Sequence, residues 1–137
     1  MKYRALAESL VPTAEAVRRH FMDSEGAAHF RAEVAVAASS PYRPTLLADC
    51  PDKSLLAIEV NEGSYTNALD AFVLDCLGQG LPIRLFVATP SGAPATQLVD
   101  LLRRAKGLGI GVVEYDGSSV QRLFPALSLS LLGLRAI

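Results

Sequence analysis

The sequence predicts one α/β domain built on a mixed sheet with helices on both faces. Two observations carry this reading. Apolar residues recur at helical spacing in some segments and crowd into short β-type runs in others, and the two kinds follow the order α-β-β-β-α-β-α-β. Consecutive strands without a helix between them cannot be parallel, so the first strands must form an antiparallel meander. Each later β-α-β must then be a right-handed parallel crossover.

Residues 6–22 place Leu6, Leu10, Val17 and Phe21 at helical multiples, with Pro12 and Thr13 marking a start or a kink. After the turn-like Asp23-Ser24-Glu25-Gly26, residues 30–36 alternate imperfectly and read as the first strand, which Ser39-Ser40-Pro41 breaks. Residues 45–48 and 54–60 are short apolar runs joined by Asp49-Cys50-Pro51-Asp52-Lys53, whose Pro and Asp favour a turn; a β-hairpin is expected. Ala68, Leu69, Phe72, Val73, Cys76 and Leu77 mark an amphipathic helix that Gly78 and Gly80 end. Residues 83–88 form an apolar run of the kind buried on both faces of a sheet. A helix follows over 94–106 with Leu98, Leu101, Leu102 and Ala105 inward, and residues 110–115 give a last strand before Asp116-Gly117. Residues 118–137 are read as an apolar tail: a final core element, or an interface for a second copy or another protein.

A chain of 137 residues, half of them apolar, can bury a core as a single domain over 1–137 without disulfides or metals. Its 13 basic and 14 acidic residues leave a formal charge of −1, so nucleic-acid binding is possible but not signalled by bulk charge. Cys50 and Cys76 stand in no CxxC pattern and no secretory leader is visible, which suggests reduced thiols in a cytoplasmic protein. The tail is too short and too interrupted to span a bilayer. No GxGxxG, GxxxxGK[ST] or GxSxG occurs, which argues against nucleotide-binding and serine-hydrolase sites.

The element order, with Arg43-Pro44-Thr45-Leu46-Leu47-Ala48-Asp49 followed by Leu56-Ala57-Ile58-Glu59-Val60-Asn61, resembles the PD-(D/E)XK, or restriction-endonuclease-like, nuclease superfamily and its α-β-β-β-α-β core. The resemblance spans roughly residues 13–116. It implies a hairpin with Asp, usually after Pro, on one strand and (Asp/Glu)-x-Lys on the other, and hydrolysis of a phosphodiester by metal-activated water. Residues two apart on a strand share a face, so Glu59 and Asn61 occupy the carboxylate and lysine positions, and Glu59 is the implied metal ligand. A turn near Pro51-Asp52 sets Thr45 within a residue or two of Glu59, so Thr45 stands where the family has Asp. Asp49 falls opposite residues 54–56, roughly 10–16 Å along the strand from Glu59 at ~3.3 Å per residue, and Asp52 lies farther. The family often adds a glutamate from its first helix, and Glu15 is the best match.

With Asp and Lys both replaced, the expected role is that of a nuclease-fold protein without catalysis and without a cofactor. It would serve as a binding or assembly module in DNA processing or defence, as a homo-oligomer or with a protein partner. The alternative is a divergent DNA or RNA phosphodiesterase using Mg²⁺ or Mn²⁺ held by Glu59. His20 and His29 lack paired-ligand spacing and read as surface or interfacial residues. Arg103, Arg104 and Lys106 could meet phosphates, but they also complement the carbonyl end of their helix.

Overall fold

A computed structural model describes residues 1–36 and 41–128. A 3₁₀ turn at Glu8–Leu10 leads into α1, Val11–Glu25, with Pro12 in its first turn, where the missing N–H costs nothing. Pro12 therefore marks a start, and the helix begins later than the periodicity suggests. Then follow β1 Ala28–Ala32, β2 Leu46–Asp49, β3 Leu55–Val60, α2 Asn67–Gln79, β4 Ile83–Pro90, α3 Ala95–Leu108, β5 Gly111–Tyr115 and β6 Val120–Phe124.

The strands form one six-stranded sheet in the order β1-β2-β3-β4-β5-β6. The pairs β1–β2, β2–β3 and β5–β6 are antiparallel, whereas β3–β4 and β4–β5 are parallel. This is the expected mixed sheet, a meander followed by two crossovers. Because the parallel strands advance in one direction across the sheet, right-handed crossovers put α2 and α3 on the same face. Their apolar sides, including Leu69, Phe72, Leu101 and Ala105, pack on Leu47, Ala57, Leu85, Val87 and Val112. Helix α1 covers the other face, with Val17 and Phe21 against Leu46, Leu56, Ile58, Phe86 and Val113. Among the described residues no helix is long and apolar enough to cross a membrane.

Two expectations are corrected. The first strand is Ala28–Ala32 rather than 30–36, because Glu33 takes a left-handed backbone at φ 56° that ends the extended run. Its carboxylate then accepts hydrogen bonds from the N–H groups of Arg4 and Ala5 at 2.9–3.1 Å, tying the N-terminal segment to this corner. The element order also gains a strand inside the residues read as the apolar tail. Val120–Phe124 adds the edge strand β6, and the tail residues beyond 128 lie outside the described ones.

Strand β6 is held to α1 through Arg122. Its Nε donates to His20 Nε2 at 3.2 Å, one terminal nitrogen bonds Glu25 and Ser24, and the guanidinium lies 4.7 Å from the Phe21 ring centroid. Glu25 also pairs with Arg84 of β4. Burial, then the Arg122 charge, lowers the His20 pKa, so the imidazole accepts from Arg122 as the neutral form. A depressed histidine contributes stability above its ordinary pKa and loses it as pH falls below that value.

One packing constraint is severe. A Cβ on Gly111 would stand 2.4 Å from Phe86 Cε1 and 2.9 Å from the Ala126 nitrogen, and Phe86 is itself pressed on Phe21 at 4.8 Å between centroids. Gly111→Ala is expected to cost about 2–3 kcal/mol in chemical denaturation. Gly78→Ala, which meets nothing within 4 Å, should be neutral or gain up to about 0.5–1 kcal/mol.

Candidate functional site

The β2–β3 ladder fixes the geometry of the hairpin. Leu46 pairs with Ile58 and Asp49 with Leu55, so the same register carries Thr45 opposite Glu59 and holds Asp49 at the far end. Asp49 there pairs with Arg31 at 3.1 Å, whose hydrogen bond lowers its pKa, and Asp52 caps the turn by accepting from the Ser54 N–H and hydroxyl. Neither approaches Glu59.

Alternation along β3 sends Leu56, Ile58 and Val60 toward α1 and Leu55, Ala57 and Glu59 toward α2. Glu59 is half-buried, and its Oε1 accepts a hydrogen bond from the Tyr42 hydroxyl at 2.8 Å. The Tyr42 ring lies 4.7 Å from that of Phe72 on α2, so an aromatic stack holds the donor in place. Burial raises the Glu59 pKa above its ordinary value and the Tyr42 hydrogen bond offsets this only in part; burial also raises that of Tyr42. A carboxyl with a raised pKa favours its protonated form in the fold. Its contribution to stability is therefore present at acid pH and is lost as pH rises through the folded value.

The other hairpin positions are occupied by structural bonds. Thr45 is buried, and its Oγ1 accepts from the Val60 N–H at 3.0 Å, satisfying a main-chain donor at the end of β3. Asn61 closes the turn after β3: its Oδ1 accepts from the N–H groups of Gly63 and Ser64 at 2.8 and 3.0 Å, and its amide donates to the Ser64 carbonyl at 2.8 Å. Glu15 sits on α1, across the sheet from Glu59. It accepts from Arg18 Nε at 2.8 Å and from the Tyr3 hydroxyl at 3.3 Å. Burial opposes its charge, but the Arg18 bond outweighs this and the pKa is lowered. The fold thus brings Thr45, Glu59 and Asn61 to one strand end and leaves Glu15 on the opposite face.

A hard divalent cation needs several oxygen ligands. Here Glu59 Oε1 faces a phenol, Thr45 Oγ1 faces a main-chain N–H and Asn61 Oδ1 faces two. These residues do not fit such an ion. Among the described residues no group of three or more His, Cys, Asp or Glu side chains is placed to hold a metal.

Of the other polar residues, Arg103 pairs with Asp100, while Arg104 pairs with Asp70 and lies 4.2 Å from the Tyr65 ring centroid. Arg104 thus ties α3 to α2, while Arg103 pairs within α3 and Lys106 stands in the last turn of the helix. Cys50 and Cys76 are free and buried. Tyr42 is the partner that sequence reasoning missed. It lies 17 residues from Glu59, and no strand or helix period links the two.

The fold defines a mixed α/β protein, a six-stranded sheet with helices on both faces. No family model matches the chain and no curated protein matches it. Solved structures do. A protein of unknown function from Silicibacter pomeroyi, SPO1766, superposes with a TM-score of 0.54 at 17% identity, over 90% of this chain and 79% of that one. EndoMS in its dsDNA2 complex superposes with a TM-score of 0.50 at 12% identity, over 87% of this chain and 50% of the other, so the chain spans about half the length of that relative. At these identities the likeness is one of fold.

The Thr45 bond can be tested by itself. Thr45→Ala leaves the buried Val60 N–H without its acceptor and should cost about 1–3 kcal/mol. Thr45→Ser, measured by the same denaturation, should recover most of that loss.

Proposed function

We propose that this chain is a divergent PD-(D/E)XK protein that has lost phosphodiester hydrolysis and acts as a binding or assembly module, in DNA processing or defence. The observation that carries this reading is the Tyr42–Glu59 hydrogen bond. The hairpin glutamate that matches the family motif is engaged by a phenol and its pKa is raised. A metal-binding carboxylate would need the opposite: oxygens left open to the ion and a neighbouring second carboxylate. The position opposite holds Thr45, and the lysine position holds an asparagine whose amide closes a turn.

A fold shared with EndoMS, which has been solved with dsDNA, supports a role at nucleic acid. Assembly with a second copy or a protein partner is the other side of the same proposal, and the apolar tail motivates it.

The purified chain, incubated with single-stranded, duplex and branched DNA and with RNA in Mg²⁺ or Mn²⁺, is expected to cleave none of them above the level of Glu59→Ala. Cleavage by the wild type that disappears in Glu59→Ala would establish the alternative, a divergent metal-dependent nuclease.

A further inference from the structure

Away from Glu59, the N-terminal segment and the strand ends beside it enclose a cleft of about 840 Å³. It is lined by Met1, Lys2, Tyr3, Arg4 and Ala5 on one side and by Ala32, Glu33, Val34 and Arg43 on the other. Three cations, Lys2, Arg4 and Arg43, line it against one carboxylate, in a chain whose overall formal charge is −1.

That carboxylate is already committed. Both oxygens of Glu33 accept from the N–H groups of Arg4 and Ala5, so it serves as the clasp that holds the cleft wall. The cations are not committed in the same way. All three residues are exposed, and among the described residues no salt bridge engages Lys2, Arg4 or Arg43. Arg43 Nη1 makes one long bond, 3.4 Å, to the Glu33 carbonyl. Elsewhere the arginines mostly have carboxylate partners: Arg18, Arg31, Arg84, Arg103, Arg104 and Arg122 each pair with an Asp or Glu. Unpaired cations gathered in one concave site are a place for an anion, and guanidinium groups suit phosphate oxygens.

The geometry points to this cleft as a binding site for a chain of phosphates, with Lys2, Arg4 and Arg43 each meeting phosphate oxygens. The cleft is too large for a single phosphate to fill, and cations from two separate parts of the chain suit successive groups along a strand. A nucleic-acid backbone and a free polyphosphate offer the same chemistry. This inference supplies a ligand for the binding role proposed above and rests on that reading. The site is separate from the hairpin, since Thr45, Glu59 and Asn61 do not line it.

Fluorescence anisotropy with a labelled single-stranded oligonucleotide, across a salt series, tests it. The double variant Arg4→Ala/Arg43→Ala should weaken binding at least about tenfold and make the salt dependence shallower by about 1.4, the amount expected for two lost phosphate contacts to a single strand. Arg103→Ala, which removes an exposed cation on α3, should leave both unchanged. Lys2→Gln, whose side chain makes no hydrogen bond among the described residues, gives the same readout should the double variant fail to fold. Inorganic tripolyphosphate competing at equal phosphate would assign the cleft to free polyphosphate; failure to compete would assign it to the strand. Absence of wild-type binding to both probes, or an equal loss in Arg103→Ala, would overturn the site. Cleavage of the oligonucleotide in Mg²⁺, with binding still dependent on Arg4 and Arg43, would overturn the non-catalytic reading alone.

Discussion

Strand β3 is paired antiparallel to β2 on one edge and parallel to β4 on the other, and Leu56, Ala57 and Ile58 are fully buried between helices on both faces. A strand so enclosed cannot slip by one residue without exchanging its two faces. That constraint sets the positions of the rest. It sends Glu59 toward α2, puts Thr45 across from it, and brings Asn61 out at the strand end, where its N–H still bonds the Ala88 carbonyl of β4. It also separates Glu59 from Glu15, because α1 packs on the other face.

Within that frame the hairpin performs structural tasks. Thr45 satisfies a main-chain donor, Asn61 shapes a turn, and Glu59 is kept by Tyr42 under the Phe72 stack. Each is a polar group at the end of a buried strand, where an unmet donor or acceptor costs about 1–3 kcal/mol. The same positions that would supply a metal site in the resembled family are used here to close the sheet end. Beside β1, three cations without a salt bridge among the described residues, Lys2, Arg4 and Arg43, line one cleft.

Much of the fold was legible in the residues. The apolar runs of β3 and β4, broken only by Glu59 in the one and by Arg84 in the apolar part of the other, and the helical spacing of α2 and α3 mark elements enclosed by others, and burial of that kind is written directly into residue type. Strand β6 was not legible as a strand, because an edge strand such as Val120-Gln121-Arg122-Leu123-Phe124 exposes part of its length and takes its order from pairing with β5. The end of β1 was misplaced because Glu33 turns left-handed, a conformation no propensity favours for glutamate. At the site, the opposition of Thr45 and Glu59 followed from hairpin arithmetic. The Tyr42 partner and the basic cleft did not, since both depend on tertiary paths that bring together Tyr42 with Glu59 and Arg43 with Lys2 and Arg4.

In the proposed reading, the half-buried Glu59 is a hydrogen-bonding partner of Tyr42 and not a metal ligand. Carbon-detected NMR titration of the Glu59 carboxyl, with and without saturating Mg²⁺, reads this directly. The account predicts a pKa above that of an ordinary glutamate, unchanged by Mg²⁺ and raised further in Tyr42→Phe, which removes a hydrogen bond that favours the ionised form. A pKa at or below the ordinary value that falls further when Mg²⁺ is added would contradict it.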